Sequence, residues 1–247
     1  MEQDWCCAIE VNRVKILVIN PNSSRSITSG LRESLLPLCS RNVALVYFTG
    51  SARAPASIDD ETTAVMSAAV CYADIRAHVD WVGPMYDAYL VACFSDHPLT
   101  RMLKEGGFDR PIMGIFEAAI SHALLVGSRF GIITTGVGWR NRLTDAVRAF
   151  LGAGGSDRFL GVEPTGLGVL ELHDQEPETV ARVKEAAKAL AQKGADVIIL
   201  GCAGMSGMEA IVRDGARAGG AQQIAVVDGA KAAVELLTGL SRQKYFG

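Results

Sequence analysis

Two segments of this chain repeat one pattern, and that repeat constrains the fold more than any other feature. Tyr89-Leu90-Val91-Ala92-Cys93-Phe94-Ser95-Asp96 and Val197-Ile198-Ile199-Leu200-Gly201-Cys202-Ala203-Gly204 each carry an apolar run ending in a cysteine, then small or polar residues. A short apolar run of this kind reads as a strand buried on both faces, the mark of a parallel sheet. The residue just past such a strand sits at the carboxyl edge of the sheet, where α/β proteins bind ligands. Two thiols in equivalent places point to one site with two similar groups facing each other. Such a pair suits removal of a proton from one face of a carbon and its return to the other.

The rest of the chain alternates strands and helices. Val14 to Asn20, Val43 to Phe48, Tyr89 to Ala92, Pro111 to Ile115, Arg129 to Thr135, Asp157 to Val162, Asp196 to Leu200 and Ile224 to Val227 read as strands. Helical patterns fall between them, with the acids Asp59-Asp60-Glu61 at the start of one and a clear amphipathic stretch from Pro177 to Lys193. That alternation predicts parallel sheets with right-handed crossovers. Ile16 precedes Cys93 by about the interval that separates Ile132 from Cys202, so the chain divides into two similar halves. The expected fold class is α/β: two similar lobes related by a pseudo-twofold, each a parallel sheet flanked by helices, with a site in the cleft between them. The expected division is an extension over 1–12, a first lobe over 13–108, a second over 109–227, and a C-terminal helix over 228–247 packing back on the first lobe.

The 247 residues are 49% hydrophobic and 21% charged with a net charge of -3, an ordinary globular composition. No basic stripe suggests nucleic acid, and no apolar stretch approaches the roughly 20 residues of a membrane helix. Residues 1–12 lack both a basic start with an apolar core and the Arg-rich, acid-poor character of a transit peptide, so the expected location is the cytoplasm. The six cysteines form no C-x-x-C pair and the four histidines are scattered, so no metal site is expected. Cys39 and Cys71 read as buried small hydrophobes, and Cys6 and Cys7 take no role. Gly166-Leu167-Gly168 and Gly136-Val137-Gly138 lack the spacing of a dinucleotide fingerprint. A small molecule is the expected partner; oligomeric state, a homo-oligomer included, stays open.

Helix starts after Cys93 and Cys202 would lower the thiol pKa values, because a helix N-terminus favours negative charge. Ser95 and Gly204 would let backbone N–H groups approach a developing oxyanion. Asn20-Pro21-Asn22-Ser23-Ser24 is either a strand-to-helix turn or a cradle for a carbonyl or carboxylate. Thr134-Thr135-Gly136 is its counterpart in the second half. Glu117 either orients a ligand or caps a helix, with capping favoured. Asp96 is expected as a helix cap, with His97 solvated beside it, and His173 is expected in a surface loop.

Four motifs in order carry a family resemblance: Ile19-Asn20-Pro21-Asn22-Ser23-Ser24, Cys93-Phe94-Ser95-Asp96, Gly114-Ile115-Phe116-Glu117-Ala118-Ala119 and Gly201-Cys202-Ala203-Gly204-Met205. The chain resembles the hydantoin and allantoin racemase group of the aspartate/glutamate racemase superfamily, which takes in the fungal Dcg1-like proteins, from about Val14 to Leu240. The resemblance implies cofactor-independent racemisation of 5-substituted hydantoins such as allantoin, in purine catabolism, with Cys93 and Cys202 as the two bases. It implies that Asn20 and Pro21, the backbone of Phe94 and Ser95, Thr134, and the backbone of Ala203, Gly204 and Met205 hold the substrate.

Amino-acid racemases of this superfamily place Asn-Thr after the first cysteine and Thr-His after the second. Phe94-Ser95 and Ala203-Gly204 stand there in this chain, which suits a neutral ring better than a zwitterion. Other readings are an isomerase or lyase resembling maleate isomerase or arylmalonate decarboxylase, an amino-acid racemase, a cysteine hydrolase pairing Cys93 with His97 or His122, and a non-catalytic two-lobed binder.

Overall fold

A computed structural model of the chain describes residues 13–82, 85–152, 156–173 and 176–243. Residues 1–12, with Cys6 and Cys7, lie outside the described residues. The first half runs β1 (Val14–Asn20), α1 (Arg25–Leu35), β2 (Val43–Thr49), α2 (Glu61–Val82), β3 (Ala88–Val91), α3 (Pro98–Glu105), β4 (Ile112–Gly114) and α4 (Ile115–Val126). The second half runs β5 (Phe130–Thr134), α5 (Trp139–Leu151), β6 (Phe159–Pro164), α6 (Val169–His173), α7 (Pro177–Gln192), β7 (Val197–Leu200), α8 (Glu209–Ala218), β8 (Ala225–Asp228) and α9 (Gly229–Arg242).

The strands form two parallel four-stranded sheets of the same topology, β2-β1-β3-β4 and β6-β5-β7-β8. β3, β5 and β7 are buried along their whole length, as their unbroken apolar runs require. β4 pairs with β3 through Ile112 to Gly114, so the first sheet extends past the division expected at residue 109. The apolar run there is too short to show from sequence which neighbour it will pair with.

The two halves exchange their last helices. α4 follows the last strand of the first sheet yet packs on β7 and β8 of the second. α9 follows the last strand of the second sheet and packs on β1 and β3 of the first, and α4 and α9 also pack on each other. One apolar core therefore runs through both lobes, from Ile16 and Leu90 through Phe116 and Ile120 to Phe130, Ile199 and Leu237. The two helix starts approach so closely that a Cβ at Gly229 would lie 2.6 Å from the Ile115 carbonyl oxygen. Only glycine fits that crossing.

Candidate active site

The carboxyl ends of β1, β3, β5 and β7 converge on the cleft between the sheets. The register pairs Ile19 with Val91 and Ile133 with Leu200, so each cysteine lies two residues beyond the ladder of an inner strand. A small cavity of about 40 Å³ opens at this point. Its wall takes Asn22 and Ile27 from the β1–α1 region, Ile58 from the segment before α2, and Ala92, Cys93 and Phe94 from the end of β3. The second half supplies Thr134, Thr135, Trp139, Val169, Gly201, Cys202 and Ala203. Both thiols thus face one chamber, one from each lobe.

Each cysteine is held by local backbone geometry. Cys202 is extended, and its Sγ accepts from the Gly204 N–H at 3.3 Å. The Met205 N–H donates to the Cys202 carbonyl at 3.1 Å. Thr134 Oγ1 donates to the Gly201 carbonyl at 3.2 Å, which ties β5 to the turn before Cys202. A Cβ at Gly201 would lie 2.4 Å from the Ile133 carbonyl oxygen, so the chain can pass β5 there only as glycine. On the other side Cys93 Sγ lies 3.5 Å from Ser95 Oγ, and the Phe94 ring packs edge-on against Phe116 of α4, 5.6 Å between centroids.

Burial dominates the electrostatics. It pushes the Cys93 thiol up to about 12; the Ser95 hydroxyl works against the shift, and Cys202 and Asp59 add to it. Burial likewise pushes Cys202 up to about 11, opposed by the Gly204 and Met205 N–H groups and reinforced by Asp59. The lowering expected from helix starts is therefore outweighed. Loss of water around a sulfur costs its anion more than one or two N–H groups return. The thiols rest as thiols, and a thiolate formed here is a strong base.

Of the residues expected to hold substrate, Phe94, Thr134 and Ala203 line the chamber with the two cysteines. Asn20, Pro21, Ser95, Gly204 and Met205 do not line it. Asn20 is buried and its Nδ2 serves Asn22 Oδ1, the Ser24 carbonyl and Thr28 Oγ1 at 2.9, 2.9 and 3.0 Å. The Pro21 carbonyl accepts from Ser67 Oγ and Cys71 Sγ at 2.5 and 3.2 Å. The Ser95 N–H bonds the Cys93 carbonyl, and Met205 is fully buried in the core of the second lobe. Asn22 takes the wall position instead. Its Oδ1 accepts from Asn20 Nδ2 and the Ser24 N–H, both at 2.9 Å, which leaves its amide hydrogens for a ligand. The alternation of Asn20 and Asn22 in a turn gives no sign in sequence of which one faces the cleft.

Ile58, Trp139 and Val169 also line the chamber and are missed by motif reading, since each is a lone apolar residue at an element boundary. Tyr47, Phe48 and Tyr86 are not on the wall. Tyr86 packs edge-on against Tyr89, and Arg32 lies over the Tyr47 ring.

The histidines take other places than expected. His97 is fully buried and is itself the cap of α3, its Nδ1 accepting from the Leu99 N–H at 3.3 Å. Asp96 is exposed and pairs with Arg101 at 2.5 Å. The extended backbone of His97 ahead of Pro98 makes the imidazole the nearer acceptor for the first turn. Burial lowers the His97 pKa to about 4, so the ring is neutral. Among the described residues, neither His97 nor His122 lines the chamber where a hydrolase pairing one of them with Cys93 would need it. His173 ends α6 rather than lying in a loop.

Glu117 sits in the first turn of α4, whose N-cap is Gly114, and burial raises its pKa. Its Oε2, His97 Nε2 and Thr100 Oγ1 are buried without hydrogen-bond partners. Cys71 is buried in α2 as expected, whereas Cys39 is half-buried just after a short 3-10 turn. Among the described residues no three His, Cys, Asp or Glu side chains gather where they could hold a metal ion, and no helix is long and apolar enough to cross a membrane.

The geometry agrees with what is similar to this chain. The Asp/Glu/Hydantoin racemase family matches residues 16–237. Protein DCG1 of Saccharomyces cerevisiae is 34% identical over 208 residues, covering 79% of this chain and 84% of the relative. The hydantoin racemase of Paenarthrobacter aurescens is 33% identical over 195 residues, covering 78% and 79%. Among solved structures, allantoin racemase from Klebsiella pneumoniae superposes with a TM-score of 0.78 at 26% identity, covering 93% of this chain and 88% of the other. Two lobes of one topology, a thiol at the same register in each, and a family match over nearly the whole chain lead to one conclusion: the protein is an isomerase belonging to the Asp/Glu/Hydantoin racemase family.

Proposed function

We propose that this enzyme racemises 5-substituted hydantoins, allantoin among them, by a two-base proton transfer between Cys93 and Cys202. The observation that carries the reading is the pair of thiols, one from each lobe, on the wall of a single chamber. One cysteine, as thiolate, takes the proton from C5 of the ring, and the C–H electron pair moves into the adjacent carbonyl to give an enolate. The opposite thiol donates its proton to the other face of C5 and is left as the thiolate. Protons and charge balance, and the next turnover runs in reverse sense.

The Asn22 amide is the donor for the ring carbonyl that becomes the enolate oxygen. Among the described residues the wall is apolar apart from Asn22, the two threonines and the two thiols, which suits a neutral ring better than a carboxylate. Similarity to proteins called hydantoin racemase and allantoin racemase supports this substrate class.

The test is proton NMR of single-enantiomer allantoin and 5-methylhydantoin in D2O, with optical rotation followed in parallel. The expected result is loss of the C5–H signal with loss of rotation, abolished in both Cys93→Ser and Cys202→Ser. A single variant that racemises at the parent rate would falsify the two-base assignment. Ring opening without exchange would point to hydrolysis instead.

A further inference from the structure

The proton transfer leaves Glu117 without a task, yet its carboxyl is lodged beside the turn that carries Cys93. A Cβ at Gly114 would lie 2.4 Å from Glu117 Oε2 and 3.4 Å from Thr100 Oγ1. The carboxyl thus fills the notch that Gly114 leaves between the start of α4 and the start of α3. Glu117 Oε2, Thr100 Oγ1 and His97 Nε2 are all buried without a hydrogen-bond partner, and His97 and Thr100 both belong to the capped first turn of α3. We propose that Glu117 is a positioning residue for Cys93, fastening the turn that holds this thiol to the helix that reaches the second lobe. The inference rests on the two-base reading given above.

The groups match in kind. His97 Nδ1 accepts from the Leu99 N–H, so the hydrogen of the neutral imidazole is on Nε2. That N–H and the Thr100 hydroxyl are donors, and Glu117 Oε2 is an acceptor. Buried polar groups are strongly favoured when they find counterparts and costly when they do not, because no water replaces a missing partner. Burial raises the Glu117 pKa, opposed by its own N–H and by Lys104, while Asp96 adds to the rise. The neutral carboxyl is therefore more favoured here than on a surface.

The path from this carboxyl to the sulfur is short. The Cys93 carbonyl accepts from the Ser95 N–H at 3.1 Å, the Ser95 carbonyl from the His97 N–H at 2.8 Å, and the His97 carbonyl from the Thr100 N–H at 3.1 Å. These links tie the place of Cys93 to the start of α3. On α4, Phe116 meets the Phe94 ring and the next residue, Glu117, meets Thr100. α4 in turn packs on β7, the strand that leads to Cys202. Loss of the carboxyl therefore shifts Cys93 relative to Cys202 while leaving both thiols in the chain. A misplacement of about 1 Å at a reacting group costs on the order of 10²-fold in rate.

The experiment measures racemisation of each enantiomer of 5-methylhydantoin, unlabelled and deuterated at C5, in the parent and in Glu117→Ala, Glu117→Gln and Gly114→Ala. Gly114→Ala keeps Glu117 but fills the notch, and the backbone at Gly114, with φ at -88°, admits alanine. The expected result is a fall of about tenfold in kcat for Glu117→Ala and Gly114→Ala, with KM changed by less than about twofold. Glu117→Gln keeps the size and an acceptor oxygen of the neutral acid, so its kcat is expected within about threefold of the parent. Slowing the Cys93 step alone raises the deuterium isotope effect on kcat/KM for the enantiomer that Cys93 deprotonates and lowers it for the other. Ser95→Ala, which removes the hydroxyl beside the Cys93 sulfur, is expected to skew the pair in the same sense. A merely structural role reduces the amount of active enzyme and leaves both isotope effects at the parent values. A melting curve reports folding, and if Glu117→Ala or Gly114→Ala fails to fold the other decides. Parent-like kcat, unchanged isotope effects, or Glu117→Gln as slow as Glu117→Ala in folded protein overturns the positioning role while the racemase reading stands. No racemisation by the parent overturns the racemase reading, and this role with it.

Discussion

At the scale of single residues the proposed transfer between two thiols sets the expected pH behaviour. Each is held above the usual value of 9.0 by burial, Cys93 near 12 and Cys202 near 11. The thiolate is then the minor form at neutral pH, and its fraction grows about tenfold per pH unit below the folded pKa. The expected rate of C5 exchange therefore rises steadily from pH 7 to 9, and a plateau below pH 8 would contradict the assignment. Linkage has the opposite sign: above about 9 the unfolded chain releases thiol protons that the folded chain keeps, so stability falls with rising pH. Urea midpoints at pH 8 and pH 10 measure that fall. Asn22 gives a second prediction. Asn22→Ala removes the proposed enolate donor, and a loss of about 10²–10³ in kcat is expected, the size seen for one oxyanion donor. Loss of kcat with KM little changed supports the role; a change confined to KM argues against it. The cysteines were legible in the sequence because a lone thiol after a buried strand stands out twice. Asn22 was not separable from Asn20, since the turn between them decides which side chain is consumed by the backbone.

Among the elements, the starts of α4 and α9 carry the greatest strain on residue choice. Asp228 caps α9, accepting from the Ala230 and Lys231 N–H groups at 2.9 and 3.3 Å, and its other oxygen accepts from Ser206 Oγ at 2.5 Å. Ser206 Oγ also lies 2.8 Å from Ser34 Oγ of α1, so the turn after Cys202 is tied to both lobes. Asp228→Ala is expected to cost about 2 kcal/mol, the upper end for a lost cap, measurable as a shift in the urea midpoint. It is also expected to slow exchange at C5 by loosening the Cys202 turn. Stability lost without any change in rate would confine Asp228 to the helix. The strands were readable from their apolar runs, and α2, α7 and α9 from their length. The pairing of β4 was not, because three residues carry no periodicity.

For the whole molecule, the exchange of α4 and α9 makes two lobes into one folding unit. A shared core through Phe116, Ile120 and Leu237 means that neither lobe keeps its apolar face covered when the other unfolds. Unfolding in urea is expected to be a single transition, coincident by tryptophan fluorescence and far-ultraviolet circular dichroism. Phe116→Ala is expected to lower the midpoint by about 3–5 kcal/mol equivalent without splitting it. Two separated transitions would show independent lobes. The lobes, their parallel sheets and the equivalence of the two cysteines were determined by the sequence alone, because burial of a parallel strand demands an unbroken apolar run and a run of one kind recurs in each half. Which helix covers which sheet, how deeply the thiols are buried, and which side chains close the chamber were decided only by the tertiary structure. Those properties depend on contacts between residues far apart in the chain, and no local pattern encodes the water that such contacts exclude.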